Sequence, residues 1–444
     1  MGLFNLLSNE VGIVIYGNTY DISLNWIGTL IRWLITGVGS VGVGIILFSI
    51  ILKVIVLPFD VYQRISMRKQ NLKMKENQAR MEKLQKQYAN DKEKYNQKVM
   101  EMYKESGISM FSSCLPMILS LIIFIVAINA FNAYSQYANV ENYNLMVNAY
   151  NTKVESLCED LKDGDYGFSE KEEKTKKIYY FDVDKLYEKD EIQSFVDDAL
   201  AKGKANNKKE AIIKYFDNEG QTAVLSVYET EVFKNTSFLW IKNIWATDAV
   251  YSLSNSCTIQ KITPVLEFET FKKEVQSQNF QVGDKTTNFT GVTEYTNAYD
   301  GDTYKIITEK LTVQKSQANG YYILILLSIG TILLQQWISM AGQKEQQKYS
   351  SVDGQGASQQ KMTLVIMTGM FAIFAFMYSA AFSIYMIMSN VLSLISTLVI
   401  NKLVDISERK KEEKAIVEKY NKRFAGRAPS TSDVKKDAKN KNNK

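Results

Sequence analysis

The sequence predicts a mainly α, polytopic membrane protein with five transmembrane helices, a cytoplasmic helical hairpin and an extracytoplasmic α+β insertion. Three observations predict it. Apolar runs of spanning length recur five times along the 444 residues. Charge is confined to the segments between them, and those segments differ in sign in a way that assigns each to a side. The mean hydropathy of −0.18 and the 23% of charged residues would suit an ordinary soluble chain, because averaging hides this segregation.

A hydrocarbon core about 30 Å thick takes about 20 residues of helix to cross. The runs of that length are residues 39–59, 115–134, 320–340, 362–379 and 380–403, the last two adjoining as a tight antiparallel pair. Ahead of them, residues 1–38 form an N-terminal segment whose part from Ile22 to Leu34 places apolar residues along one face with Arg32 among them. That pattern reads as an amphipathic helix lying at the membrane surface. A cleavable signal peptide is the alternative, and it lacks a basic n-region, with Glu10 standing where one would be.

Charge orients the spans. Residues 60–109 hold 12 Lys/Arg against 7 Asp/Glu, and the tail from Lys402 holds 14 against 7. Residues 135–319 hold 22 Lys, no Arg and 30 Asp/Glu. Positive-inside bias therefore places the 60–114 hairpin, the 341–361 loop and the 404–444 tail in the cytoplasm, with the N-terminus and the 135–319 insertion outside.

Composition excludes much chemistry. With no histidine there is no imidazole base and no His metal ligand. Cys114, Cys158 and Cys257 are too far apart for a CxxC motif, and no GxxxxGK[ST] phosphate loop occurs. An enzyme is not expected, and no cofactor is implied. Cys158 and Cys257 fall on the same side, and whether they pair stays open.

In the hairpin, Met74, Met81, Tyr88, Tyr95 and Met102 recur every seven residues beside Leu84 and Val99. The stripe offers either an adaptable surface for apolar segments or a seam that zips the two arms, and heptad spacing favours the seam. In the insertion, Lys176 to Val183 reads as a strand, and Asp190 to Lys202 and Lys208 to Phe216 as helices. Gln221 to Phe233 and the Thr/Tyr-rich stretches from Phe280 to Val313 read as strands. From Glu408 the tail reads as disordered and solvated, with a basic character suited to anionic lipid or ribosomal RNA.

Lys53 is the ionisable side chain well inside the first span, in IILKVIVLP. A charge there costs a few kcal/mol unless it meets water or a partner. It either snorkels toward the interface near Pro58 or faces a wet groove. Ser389, Asn390, Ser393, Ser396 and Thr397 lie along one side of the fifth span, Gln335 and Gln336 near the inner end of the third, and Asn129 and Asn132 in the second. Such residues either hydrate a cavity or glue helices together.

These pieces, in this order, resemble the YidC/Oxa/Alb family of membrane protein insertases in its five-helix form. Ile45 to Phe59 followed by Gln63 is similar to the family's first core span. Leu84 to Tyr88 and Tyr103 to Pro116 resemble its cytoplasmic hairpin, Phe238 to Ala249 its FLW element, and Ser383 to Asn401 its last span. The sequence departs from the family pattern at Lys53, where arginine is usual, and at Ala79, Met110, Leu121 and Ser396; the 135–319 insertion is also larger than in compact members. The resemblance implies an insertase and chaperone of transmembrane segments in a bacterial cytoplasmic membrane. Client contacts would come from Lys53, Ser49, Gln335, Tyr385, Asn390, Ser393 and Thr397. Implied partners are nascent membrane proteins, with the ribosome (through tail and hairpin), a Sec translocon and anionic lipids as further candidates. The rival readings are a secondary transporter using Lys53 as a substrate or proton site, and a membrane anchor for residues 135–319.

Overall fold

The computed structural model describes residues 9–17, 21–107, 110–173, 176–253, 259–282, 285–288, 297–342 and 355–423. It divides into two compact units: Met1–Phe48, Ile125–Ile329 and Phe371–Met386 form the first, and Ser49–Phe124, Gly330–Met370 and Ile387–Lys444 the second. Four long helices carry the apolar runs: α2 (Val41–Gln87), α4 (Met110–Lys162), α13 (Gln355–Met377) and α14 (Ala380–Arg423), with the shorter α12 (Ile323–Gly342). Among the described residues, Val41–Gln63 and Ala380–Leu403 are long and apolar enough to cross a membrane, and Trp26–Val38 and Ile323–Ile338 are shorter apolar stretches.

In the first unit, strand β1 (Glu10–Tyr16) is the first element among the described residues and helix α1 (Trp26–Val38) follows. After α4 come β2 (Ser169–Glu173), β3 (Lys176–Asp182), α5 (Val183–Tyr187), α6 (Asp190–Ala201), α7 (Lys208–Val227) and α8 (Phe233–Thr236). Next are β4 (Tyr251–Leu253), β5 (Ile259–Lys261), α9 (Phe268–Gln276), β6 (Asn279–Val282) and β7 (Lys285–Asn288), then α10 (Gly301–Ile307) and α11 (Thr312–Ser316). The remaining helix, α3 (Lys92–Glu105), belongs to the second unit.

The core of the first unit is built on one stripe of α4. Val140, Tyr143, Val147, Tyr150, Val154, Cys158 and Leu161 recur at three- and four-residue intervals and are all buried. Against it lies an antiparallel sheet in the order β1-β3-β2, with Ile13 opposite Tyr179. Strand alternation turns Val11, Ile13 and Ile15 inward, each contributing about 1.5–3 kcal/mol by burial. Cys158 is a free buried thiol whose pKa burial pushes up, and it is not one half of a staple; Cys257 lies outside the described residues. Its place between Val154 and Leu161 on the stripe makes it a packing group.

Several expectations needed correction. The run 221–233 is helical: α7 continues to Val227, and Gln221, Val224, Tyr228 and Val232 are buried at helical spacing. Of the stretch 280–313, β6 and β7 are strands, while 297–307 and 312–316 are helical; 289–296 fall outside the described residues. The helix expected over Ile22 to Leu34 occupies Trp26–Val38, because Asn25 caps it by accepting from the Gly28 N–H (2.7 Å) and Ile22 is drawn into a bridge with Phe280. Glu408–Arg423 is a continuation of α14 where disorder was expected, its Lys and Glu residues being good helix formers; 424–444 lie outside the described residues.

In the second unit the hairpin seam is explicit. Met74, Met81, Met102 and Tyr103 are buried together with Leu84 and Val99 against them. Tyr103 donates to the Met81 sulfur at 3.4 Å, and Arg80 pairs with Glu105 at 2.7 Å. Asp91 starts α3 by accepting from the Lys94 N–H at 3.0 Å, and Lys73 holds the Gly107 carbonyl at 3.0 Å where the chain turns with φ +63°.

One irregular segment, 238–249, joins the elements of the first unit. Its carbonyls at Ile244 and Ala246 accept the first N–H groups of α14, from Ala381 and Ala380, at 2.9 and 2.8 Å. The Trp245 carbonyl accepts from Ser135 on α4 at 2.9 Å. The fully buried Asp248 accepts from the Tyr321 and Leu324 N–H groups at 2.7 and 2.6 Å, capping α12. Gly320 permits that approach, since a Cβ there would lie 1.9 Å from the Asp248 Oδ1. Asp248→Ala strands the buried Leu324 N–H and the part-buried Tyr321 N–H and should destabilise the detergent-solubilised protein by about 2 kcal/mol. Asp248→Asn, which keeps one acceptor, should lose less. Thermal unfolding of the two variants checks this, and equal melting points for Ala and wild type would remove the cap from the account.

Candidate functional site: a lysine–aspartate pair in an apolar helix

In the second unit, α2 presents Ile51, Val54, Ile55 and Phe59 as exposed apolar side chains. Lys53 lies among them in sequence and yet keeps its side chain only 14% exposed. Its ammonium donates to the Asp60 carboxylate at 2.5 Å and to the Ser393 hydroxyl on α14 at 2.9 Å. Seven residues separate Lys53 from Asp60, about 10.5 Å of helix rise and close to two full turns, so both project from the same side. The lysine stem bridges most of that rise. Lys53 is thus directed along α2 toward Asp60 and at the same time linked to α14, so the two readings of its position meet in one geometry.

Around this pair the polar residues are only partly gathered. Ser396 donates to the Ser393 carbonyl at 3.0 Å, which turns its hydroxyl back on its own helix. Asn390 contacts the Thr331 hydroxyl of α12 at 3.4 Å, and Thr368 of α13 donates to Gln336 at 3.0 Å. These bonds tie α14 to α12 and α13 to α12, the helix-gluing role open to polar residues in spans. Ser49 is buried one turn before Lys53, and Gln335 and Thr397 are half-buried. Tyr385 belongs to the first unit, where it is buried with its ring 5.2 Å from Phe131 and 5.8 Å from Phe382. There it packs among aromatics.

Sequence reasoning missed Asp60, Thr331 and Thr368. By hydropathy Asp60 is the first residue of the hairpin loop. Its seven-residue offset from Lys53 is the signal that places both side chains on one side of α2.

The first unit contains a cavity of about 250 Å³ bordered by Ser135, Trp245, Thr263, Glu274 and Tyr378. Glu274 accepts from Asn139 at 3.2 Å through Oε1, while its buried Oε2 has no hydrogen-bond partner among the described residues. Burial pushes its carboxyl up to about 8, against a smaller lowering by the Asn139 hydrogen bond. No group of three or more Cys, Asp or Glu side chains suited to a metal ion occurs among the described residues.

The sequence matches the family model described as 60Kd inner membrane protein over residues 33–181 and 221–409. The chain belongs to the YidC/Oxa/Alb family. Both parts of the Lys53 site fall inside the matched ranges, and residues 182–220, which form α5, α6 and the start of α7, fall between them. Among curated relatives it is 40% identical over 98 residues to a membrane protein insertase YidC of Caldanaerobacter subterraneus, 22% of this chain and 46% of that protein. It is 35% identical over 102 residues to one from Fusobacterium nucleatum (23% and 48%) and 41% identical over 86 residues to one from Clostridium tetani (19% and 37%). The alignments thus span less than half the length of each of these relatives.

Glu274 gives the first unit a pH dependence. When folded its carboxyl keeps its proton up to about pH 8, and when unfolded it loses it near ~4.3. Folding therefore takes up a proton between these limits. The stabilisation is complete below the lower one and is lost as pH rises through the upper. Glu274→Gln should flatten the fall in melting temperature between pH 5 and pH 8; a slope identical to wild type would rule Glu274 out as its source.

Proposed function

We propose that this chain is a membrane protein insertase in which Lys53, held on Ser393, forms the polar centre of a hydrophilic groove between spans. The observation that carries the reading is the Lys53–Ser393 hydrogen bond of 2.9 Å, a charged contact between two apolar helices of a family member whose relatives bear the insertase name. A short polar segment of a client meets at this level a cation and hydroxyls in place of hydrocarbon, which lowers the cost of passing it by the few kcal/mol that an unsolvated charge or peptide would otherwise incur. Burial of the client's own apolar span then supplies the driving force. Contacts at Ser49, Gln335, Asn390, Ser393 and Thr397 belong to this proposal; Tyr385 enters it only as part of the aromatic packing that supports the fifth span.

The topology belongs to the same reading: five spans, N-terminus outside and C-terminus inside, in a bacterial cytoplasmic membrane. The β1–β3 ladder supports it. Residues 10–16 and 176–182 sit in one sheet, which requires an even number of crossings between them, and the first two proposed spans provide two. The hairpin between those spans then faces the other side.

Lys53→Arg should keep most of the insertion activity and Lys53→Ala should lose about tenfold, the equivalent of about 1.4 kcal/mol. The measurement is protease protection of short single-span clients in cells depleted of their own insertase. Equal insertion by all three forms would sink the mechanism.

The basic extension of α14 is proposed as a ribosome-docking element, attracted to RNA phosphates and weakened by salt. Removing Glu408 to Lys444 should reduce ribosome co-sedimentation in detergent without anionic lipid. Undiminished co-sedimentation at low salt would leave a lipid-binding role in its place.

A further inference from the structure

Asp60 is the surprising member of the site. A lone lysine in the wall of a groove would present a full positive charge to whatever enters. Here the charge meets a carboxylate at 2.5 Å, with the two side chains only 14% and 25% exposed. Screening by salt is weak for so enclosed a pair, and the field of two opposite charges in contact falls off far faster than that of one. Of the three ammonium protons, one goes to Asp60 and one to Ser393, which among the described residues leaves a single donor for any incoming group.

We propose that Asp60 is a specificity-determining residue, an internal carboxylate that competes with acidic groups of the client for Lys53. The inference rests on the insertase reading above and adds the chemistry of the segment that is passed. An acidic translocated tail gains from Lys53 only by displacing Asp60, which leaves the displaced carboxylate in a poor environment. A tail carrying Asn, Ser or other uncharged polar groups takes the remaining donor and disturbs nothing. The site with Asp60 in place therefore accepts uncharged polar tails about as readily as acidic ones, whereas a bare lysine favours acidic tails. The sequence carries the means of this masking in its own first span: the spacing of seven places the carboxylate on the side of α2 that Lys53 occupies, two turns closer to the hairpin.

The test uses two single-span clients that differ only in a short translocated tail, with two Asp in one and two Asn in the other. Insertion of each is measured by protease protection in cells depleted of their own insertase, and the quantity read is the ratio of acidic to neutral client. Wild type should give a ratio near one. Asp60→Asn should raise it about fivefold, the effect expected for freeing one partly enclosed ion pair. Membrane abundance of each variant is followed by immunoblot, and Asp60→Ser serves the same purpose with a smaller side chain if the Asn form does not accumulate. Lys53→Ala in parallel separates the two levels of the argument. If Lys53→Ala lowers insertion while the Asp60 variants leave the ratio unchanged, the masking proposal is overturned and the groove reading stands. If Lys53→Ala inserts both clients as wild type does, the groove reading itself fails.

Discussion

The first unit depends on how buried helix starts are satisfied. The leading N–H groups of a helix have no partner within it, and away from water each unpaired group is costly. Residues 238–249 have little regular structure of their own, which leaves their carbonyls free for this purpose. They accept from the starts of α14 and α12, and the Asp248 carboxylate adds a negative charge at the positive end of the α12 dipole. Asn319 reinforces the arrangement by accepting from the Asn243 N–H at 2.7 Å and donating to the Asn243 and Thr247 carbonyls at 2.8 and 2.9 Å. Leu239, with φ 55°, is the residue that bears the backbone distortion of the turn. Regularity in two helices is thus obtained by irregularity in twelve residues.

Much of the fold is legible where the pattern is local. The strand at 176–182 and helix 190–201 follow from alternation and from an apolar face at helical spacing, and the hairpin seam from its heptad. Two elements escaped for one reason each. Thr, Val and Tyr over 221–233 suggest a strand by type, yet burial of Gln221, Val224, Tyr228 and Val232 follows the helical period, and the context decided. Glu10–Tyr16 alternates clearly, but seven residues near a terminus carry little weight until their partner strand is known, and Ile13 pairs with Tyr179 far along the chain.

The site is legible in part. Lys53 stands out because a charge in an apolar run is costly, and Ser393 because it shares a helix face with Asn390 and Thr397. What a stripe cannot show is which of its members turn toward a neighbour. Ser396 bonds its own helix and Asn390 turns to Thr331, while Tyr385, outside the stripe, packs its ring against Phe131, so three polar positions on one helix have three different uses. Asp60 illustrates the converse error, since a segment boundary drawn by hydropathy separated it from its partner.

The long reach of the β1–β3 ladder bears on how the molecule is made. The apolar strand β1 is made about 166 residues ahead of its partner, counted from Ile13 to Tyr179. During that interval Val11, Ile13 and Ile15 have neither a ladder nor a core, and such a waiting edge is prone to pair with whatever strand it meets. Closing the sheet late also fastens β1 to a strand that is made only after α1, α2, α3 and α4. From then on β1 is held by seven paired residues, and releasing it requires opening the sheet.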